Sequence, residues 1–164
     1  MAVASNPSPE LILTTIDGDS RALSQWLTTF HLGSVILDPY TNESSWVLKS
    51  AIRILNGFRG SAVRVNFVIT CPADEARSFL GPAADEFLVF CDPERTVVKS
   101  LGLSSLPAFV FIRSDGTVPA SAEGWSPGQW KQVAASIATT TAWSHPMIPV
   151  ASDPGPFHGT PALG

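Results

Sequence analysis

Short apolar runs of strand length alternate with segments of helical periodicity along most of this chain, and this alternation most constrains its fold. Strand-like runs are predicted at residues 11–16, 34–37, 63–70, 86–91, 108–113 and 117–122. Helical patterns are predicted at residues 23–30, 47–58, 72–80, 92–101 and 126–137. Such alternation favours a sheet covered by helices on both faces. The sequence therefore predicts an α/β three-layer sandwich with a mixed central sheet, parallel in its core and closed by an antiparallel hairpin at one edge.

The order of elements also divides the chain. We predict an amino-terminal lead at residues 1–10, one domain at residues 11–138 and a proline-rich arm at residues 139–164. The arm holds five of the fourteen prolines and a single charged residue, Asp153. Its large apolar residues are Trp143, Met147, Ile148, Val150 and Phe157. We expect it to dock on its own domain or on a neighbouring copy, which would make a homo-oligomer, and a mobile terminus is the alternative.

Charge and composition exclude several classes of function. With 10 basic against 14 acidic residues, the net charge is −4, which argues against nucleic-acid binding and against a polybasic membrane anchor. No apolar run approaches the roughly 18–20 residues of a membrane span, and the first residues do not resemble a secretory signal. Two cysteines are too few for a disulfide framework, and no zinc-like spacing accompanies them. We expect a cytoplasmic protein without a metal or a cofactor.

One stretch carries a family resemblance. Residues 90–112 read Phe-Cys-Asp-Pro-Glu-Arg-Thr-Val-Val-Lys-Ser-Leu-Gly-Leu-Ser-Ser-Leu-Pro-Ala-Phe-Val-Phe-Ile, and a Ser-Asp-Gly turn follows. With the order of elements over about residues 11–138, this stretch resembles the thioredoxin superfamily, in its peroxiredoxin and TlpA-like branch. The resemblance implies that Pro107 is cis and that the Leu106-Pro107 segment is a rigid, exposed backbone edge. An ordinary trans proline at the start of a strand is the alternative.

The catalytic thiol of that superfamily is missing from this sequence. Redox-active members place a low-pKa cysteine at the amino end of the first core helix. The matching residues 38–49 read Asp-Pro-Tyr-Thr-Asn-Glu-Ser-Ser-Trp-Val-Leu-Lys, with Glu43 and Trp46 where the peroxiredoxin pattern from Pro39 requires threonine and cysteine. Ser44 and Ser45 are predicted to cap the helix instead. No catalytic residue is therefore predicted at this position.

Cys71 and Cys91 each follow a predicted strand. In the layout that the resemblance implies, these strands are parallel neighbours, so both sulfurs would lie at one edge of the sheet. One interpretation is a redox-active pair that acts as a thiol-disulfide oxidoreductase or peroxide sensor. The other is two thiols that behave as small hydrophobic side chains.

The resemblance also implies a binding rim beside the vacant nucleophile position, where redox-active relatives hold the extended backbone of a partner. Its candidate residues are Tyr40, Asn42, Ser44, Ser45, Trp46, Leu106, Pro107 and Trp125. Trp46 is alternatively a core residue, because it lies at helical spacing with apolar neighbours. We expect a redox-inactive thioredoxin-like protein that binds another protein as a chaperone, assembly factor or complex subunit. A small-molecule binder with an anion site at the helix amino terminus is a third hypothesis.

Overall fold

The computed structural model describes residues 3–164. The first two residues of the predicted amino-terminal lead lie outside the described residues. In chain order the elements are β1 (Ile12–Thr15), β2 (Ser20–Ala22), α1 (Leu23–Trp26), β3 (His31–Leu37), α2 (Asn42–Asn56), β4 (Val63–Ile69), α3 (Ala73–Leu80), α4 (Ala83–Glu86), β5 (Leu88–Cys91), α5 (Thr96–Leu101), β6 (Ser105–Leu106), β7 (Ala108–Ile112), β8 (Ala120–Glu123), α6 (Pro127–Thr141) and β9 (Thr160–Pro161).

Seven strands form the central sheet in the order β2-β1-β5-β4-β3-β7-β8, and β6 pairs with β9 in a separate two-stranded sheet. Strands β3, β4 and β5 are parallel to one another, whereas the β1–β2, β1–β5, β3–β7 and β7–β8 pairs are antiparallel. The predicted mixed sheet with a parallel core is confirmed. Antiparallel strands flank that core on both sides, because the predicted first strand pairs antiparallel with β5.

Apolar side chains fill both faces of the sheet, as expected for strands that alternate their side chains between two faces. Along β4, Phe67 packs in the cluster that lies under α2, α3, α4 and α6, whereas its neighbour Val68 packs in the cluster under α1 and α5. Both side chains are at most 2% exposed. The molecule therefore has helix, sheet and helix layers around two apolar cores. No helix within residues 3–164 is long and apolar enough to cross a membrane.

Helix α2 positions the candidate site at its amino end. Its predicted apolar stripe is buried, with Val47, Ala51 and Leu55 fully inaccessible to solvent. The helix begins at Asn42 and its N-cap is Thr41, so Ser44 and Ser45 lie inside the first turn. The prediction that these two serines cap the helix is wrong, because the polar residues before Val47 already adopt helical backbone conformation.

Helix α6 ends at Thr141, and the chain then returns across its own domain. The indole Nε1 of Trp143 donates to the Gly57 carbonyl at 2.9 Å. The Asp153 carboxylate accepts from Ser50 Oγ at 2.6 Å and from Arg53 Nη2 at 2.7 Å, both on α2. Further on, Thr160 and Pro161 pair with β6. The proline-rich arm therefore packs along α2 and then reaches the strand that precedes Pro107.

Candidate functional site

Two hydroxyl side chains occupy the amino end of α2, where the resemblance described above implies the position of the catalytic thiols. Thr41 Oγ1 donates to the Asp38 carbonyl at 2.9 Å, and Ser44 Oγ accepts from the Asp38 amide at 2.9 Å. The two side-chain oxygens are 3.4 Å apart. Thr41 at the N-cap and Ser44 three residues later have the separation of a Cys-x-x-Cys pair. Thr41 is not among the residues predicted for the site, because cysteine patterns do not mark it, and the Thr-x-x-Ser spacing is the signal that could have found it.

A buried ion pair lies next to this turn. Asp38 is only 3% exposed. Its carboxylate accepts hydrogen bonds from Arg95 Nη2 at 2.9 Å and from the Tyr40 amide at 3.0 Å. Arg95 Nη1 donates to the Ala162 carbonyl at 2.7 Å. Arg95 also adopts a left-handed backbone conformation, with a φ of 58°, at the N-cap of α5. A single guanidinium therefore joins the end of β3, the start of α5 and the arm.

Half of the predicted rim is open to solvent. Tyr40 is 62% exposed, and its hydroxyl donates to Glu75 Oε2 at 2.7 Å, a bond that raises the pKa of Tyr40 to about 12. Trp46 is 55% exposed and makes an edge-to-face contact with Phe157, with ring centroids 5.5 Å apart. The alternative that Trp46 is a core residue is therefore wrong. Asn42 and Ser45 are exposed as well, whereas Ser44 is buried.

The other half of the predicted rim is covered. The Leu106-Pro107 bond is cis, as the resemblance implies, but Leu106 is fully buried, Pro107 is buried and Trp125 is only 1% exposed. The expectation of an exposed backbone edge at Leu106-Pro107 is wrong, because β9 pairs with β6 there, with Leu106 opposite Thr160. Trp125 and Phe157 also exchange two backbone hydrogen bonds of 2.9 and 3.0 Å.

Two glycines allow the arm to approach this edge closely. A Cβ atom built on Gly159 would lie 2.5 Å from the Leu106 carbonyl oxygen, and one on Gly124 would lie 2.9 Å from the Phe157 carbonyl oxygen. Both distances are far shorter than ordinary van der Waals contact between carbon and oxygen. Glycine at these positions is therefore a requirement of the close approach between the arm and the segment before Pro107.

The two cysteines are free thiols. The two strands are parallel neighbours, as predicted, and Cys71 follows the end of β4. Cys91, however, is the last residue of β5 rather than a residue beyond it, and the two cysteines are not close to each other. Cys71 is fully buried, and this burial, followed by the charge of the Cys91 thiolate, raises the pKa of Cys71 to about 12. Burial also raises the pKa of Cys91, which is half-buried. Both groups are therefore protonated, weakly nucleophilic thiols at neutral pH.

Among the residues that the structure describes, no group of three or more His, Cys, Asp or Glu side chains is arranged to hold a metal ion. The three histidines are not gathered at α2. His31 Nδ1 accepts from the Ser114 amide at 2.9 Å, and partial burial lowers the pKa of this imidazole. His145 and His158 are exposed in the arm.

No protein-family model matches the chain, and comparison with curated protein sequences also gave no match. Solved structures do match. A secreted Mycobacterium tuberculosis disulfide oxidoreductase homologous to Escherichia coli DsbE is 18% identical, with a TM-score of 0.62 over 77% of this chain and 96% of its own. A DsbE-type thiol:disulfide interchange protein of Chlorobium tepidum is also 18% identical, with a TM-score of 0.66 over 84% of this chain and 99% of its own.

A protein of Sinorhizobium meliloti, 13% identical, has a TM-score of 0.66 over 99% of this chain and 94% of its own. Its match therefore includes the arm as well as the domain. Taken with the sheet order and the helix layers, these similarities define the class of the protein: it has the thioredoxin-like fold. Neighbours within that class include thiol-disulfide oxidoreductases of the DsbE kind.

Proposed function

We propose that this chain is a redox-inactive thioredoxin-like protein that acts by binding another protein, as a chaperone, assembly factor or complex subunit. The observation that carries the proposal is the amino end of α2, where Thr41 and Ser44 stand at the Cys-x-x-Cys separation. A hydroxyl pair cannot cycle between dithiol and disulfide. This pair supports a scaffold that has lost the redox chemistry of its class and acts through what its surface contacts.

The remaining thiols do not replace the missing pair. The attacking species in thiol-disulfide exchange is a thiolate, and a thiol with a pKa of about 12, as for Cys71, supplies almost none at neutral pH. Full burial of Cys71 also keeps a substrate disulfide from reaching it. These properties weigh against an oxidoreductase or peroxide sensor that uses Cys71 and Cys91.

Exposed aromatic side chains support the binding role. Tyr40 precedes α2 by two residues, Trp46 lies just after its first turn, and both present more than half of their surface to solvent. Tyrosine and tryptophan supply large contact areas at low cost in conformational entropy and are enriched among the residues that dominate binding energy. Asn42 and Ser45, between them in sequence, provide polar groups for the rim of such a contact.

Insulin reduction and disulfide exchange with a model substrate test the proposal. We expect the native chain to give no turnover above a blank reaction. The Thr41→Cys/Ser44→Cys variant should acquire a dithiol that exchanges with the substrate, which shows that the assay detects activity on this scaffold. The Asn42→Cys/Ser45→Cys variant has the same spacing one residue further along the helix and is the matched control. Turnover by the native chain that Cys71→Ser or Cys91→Ser abolishes would overturn the proposal.

A further inference from the structure

The arm has two parts that are held in different ways. Its first part is fixed by side chains: Ile148 is 3% exposed, Trp143 bonds to Gly57, and Asp153 bonds to α2. Its second part, residues 155–164, contains one buried residue, Ala162, and is held largely through backbone hydrogen bonds. Pro154 still belongs to the fixed part, because its carbonyl accepts from the Trp125 indole Nε1 at 2.8 Å. The two parts join at the exposed Gly155-Pro156 segment, where a Cβ on Gly155 would meet nothing within 4 Å. The second part can therefore leave while the first stays bound.

The surface under residues 157–162 requires a strand-like occupant. We define the docking edge as residues 104–106 together with residues 124–125. The Trp125 amide and carbonyl both bond to Phe157, and the Ser104 carbonyl accepts from the Ala162 amide. Buried backbone groups that lose their partners cost free energy, and an open strand edge is a template for another strand. An empty docking edge would also uncover Trp125 and Leu106, so release of the arm favours replacement by a second extended segment.

The groups of the docking edge specify the chemistry of that segment. Trp46 offers an aromatic face, which the Phe157 ring now contacts. Two residues later, only glycine fits against the Leu106 carbonyl oxygen. Arg95 donates to the carbonyl of Ala162, three residues after that glycine, and is tied to Asp38 through its other nitrogen. A proline is accommodated at the position of Pro161, which is exposed.

We propose that the docking edge binds an extended peptide segment of another protein, with the pattern aromatic-x-Gly-x-Pro, and that residues 157–162 occupy the edge in cis until the partner displaces them. This inference rests on the protein-binding function proposed above and names the class of its partner. Recognition combines addition of a strand with side-chain contacts at alternate positions. The arm acts as an internal competitor, and a segment tethered by a short linker competes at an effective concentration of about millimolar.

The test uses the full chain and a fluorescently labelled peptide with the sequence of residues 156–164, Pro-Phe-His-Gly-Thr-Pro-Ala-Leu-Gly. The Gly159→Val variant should lose cis docking, because its Cβ cannot fit against Leu106, while the docking edge itself is unchanged. We expect this variant to bind the peptide at least tenfold more tightly than the native chain, as measured by fluorescence anisotropy. Gly155→Val is the matched control, since its Cβ meets open space, and it should bind like the native chain.

Amide hydrogen exchange locates the binding. The Trp125 amide should exchange faster in Gly159→Val than in the native chain and should be protected again when the peptide is added. A peptide with valine at the position of Gly159 should bind at least tenfold more weakly. If Gly159→Val does not fold, the peptide affinity is measured on Phe157→Ala instead. This variant removes the contact with Trp46 without a backbone clash and should still bind the peptide more tightly than the native chain.

Three results would overturn the inference. The first is equal peptide affinity in the native chain and in the variant that has lost cis docking, Gly159→Val or Phe157→Ala. The second is a folded variant of this kind that does not bind the peptide. The third is a dimer in which arms exchange between copies, which would assign the docking edge to a second copy. These results are independent of the insulin assay. If the native chain does not reduce insulin and the variant that has lost cis docking does not bind the peptide, this inference is refuted and the proposed function is not.

Discussion

The carboxylate of Asp153 is the strongest attachment of the arm to α2, and its removal gives a measurable test of how the arm is held. Its side chain is 2% exposed and accepts hydrogen bonds from Ser50 Oγ, Arg53 Nη2 and the Val150 amide at 2.6 to 2.8 Å. Asp153→Ala removes all three acceptor contacts. It also leaves Arg53, whose side chain is 31% exposed and whose Nε already lacks a partner, without its counter-ion.

The expected loss can be estimated from these contacts. Removing one partner of a buried ion pair costs about 3–5 kcal/mol, and a hydrogen bond to a charged group contributes about 1.5–3 kcal/mol. Arg53 keeps some contact with water and still donates to the Met147 carbonyl, which moderates the loss. We therefore expect Asp153→Ala to lower the free energy of unfolding by about 2–3 kcal/mol. For a chain of this size, that corresponds to a fall in melting temperature of roughly 5–10 °C.

Thermal and urea unfolding, followed by circular dichroism, measure this change. The matched control is Asp85→Ala, because Asp85 is 84% exposed and lies 3.7 Å from Arg77, and pairs of this kind contribute at most about 1 kcal/mol. The Val150 amide should also lose protection from hydrogen exchange in Asp153→Ala. A loss of stability no larger than that of Asp85→Ala would show that the arm is not anchored through this carboxylate.

Two further predictions concern the site. Ser44→Ala should lower the free energy of unfolding by about 1–3 kcal/mol, because the buried Asp38 amide loses its acceptor. Ser45 is exposed, so Ser45→Ala should stay within about 0.5 kcal/mol of the native chain. Equal losses of the two variants in urea unfolding would contradict this reasoning. The pKa of Cys71 rises from an ordinary value of 9.0 to about 12 in the folded chain. Between these pH values the folded state keeps a proton that the unfolded state releases. The free energy of unfolding should therefore fall as pH rises from about 9 to 12. Cys71→Ala should show a shallower fall in the same pH series, and an unchanged slope would remove Cys71 as its cause.

The periodicity of apolar residues, together with the glycines and prolines at the ends of elements, is sufficient to predict most of the fold. The long apolar run of β4, the stripe of α2 and Gly102 at the carboxyl end of α5, with a φ of 65°, follow directly from residue type and spacing. The short elements β2 and α4 do not follow from the sequence, because three or four residues carry no measurable period. The start of α2 was placed too late, because its first turn is polar and is held by the bonds between Ser44, Thr41 and Asp38 rather than by an apolar face.

The covered half of the site could not be predicted from the sequence. The pairing of Leu106 with Thr160 joins two strands of two residues each, which are far apart along the chain. Nothing in either segment indicates the other, and a proline lies within β9 and directly after β6, which disfavours a strand assignment. The bridge from Asp38 through Arg95 to Ala162 is equally hidden, because it depends on a left-handed residue that is neither glycine nor asparagine.

The order of synthesis gives the pairing of β6 with β9 a further consequence. A ribosome produces β6 and Trp125 well before residues 157–162, and domains begin to fold as they emerge. Until residues 157–162 have been made, the backbone groups of Leu106 and Trp125 lack the partners that they have in the finished molecule. The edge at Leu106 and Trp125 is therefore covered only in a chain that has been translated at least as far as Ala162.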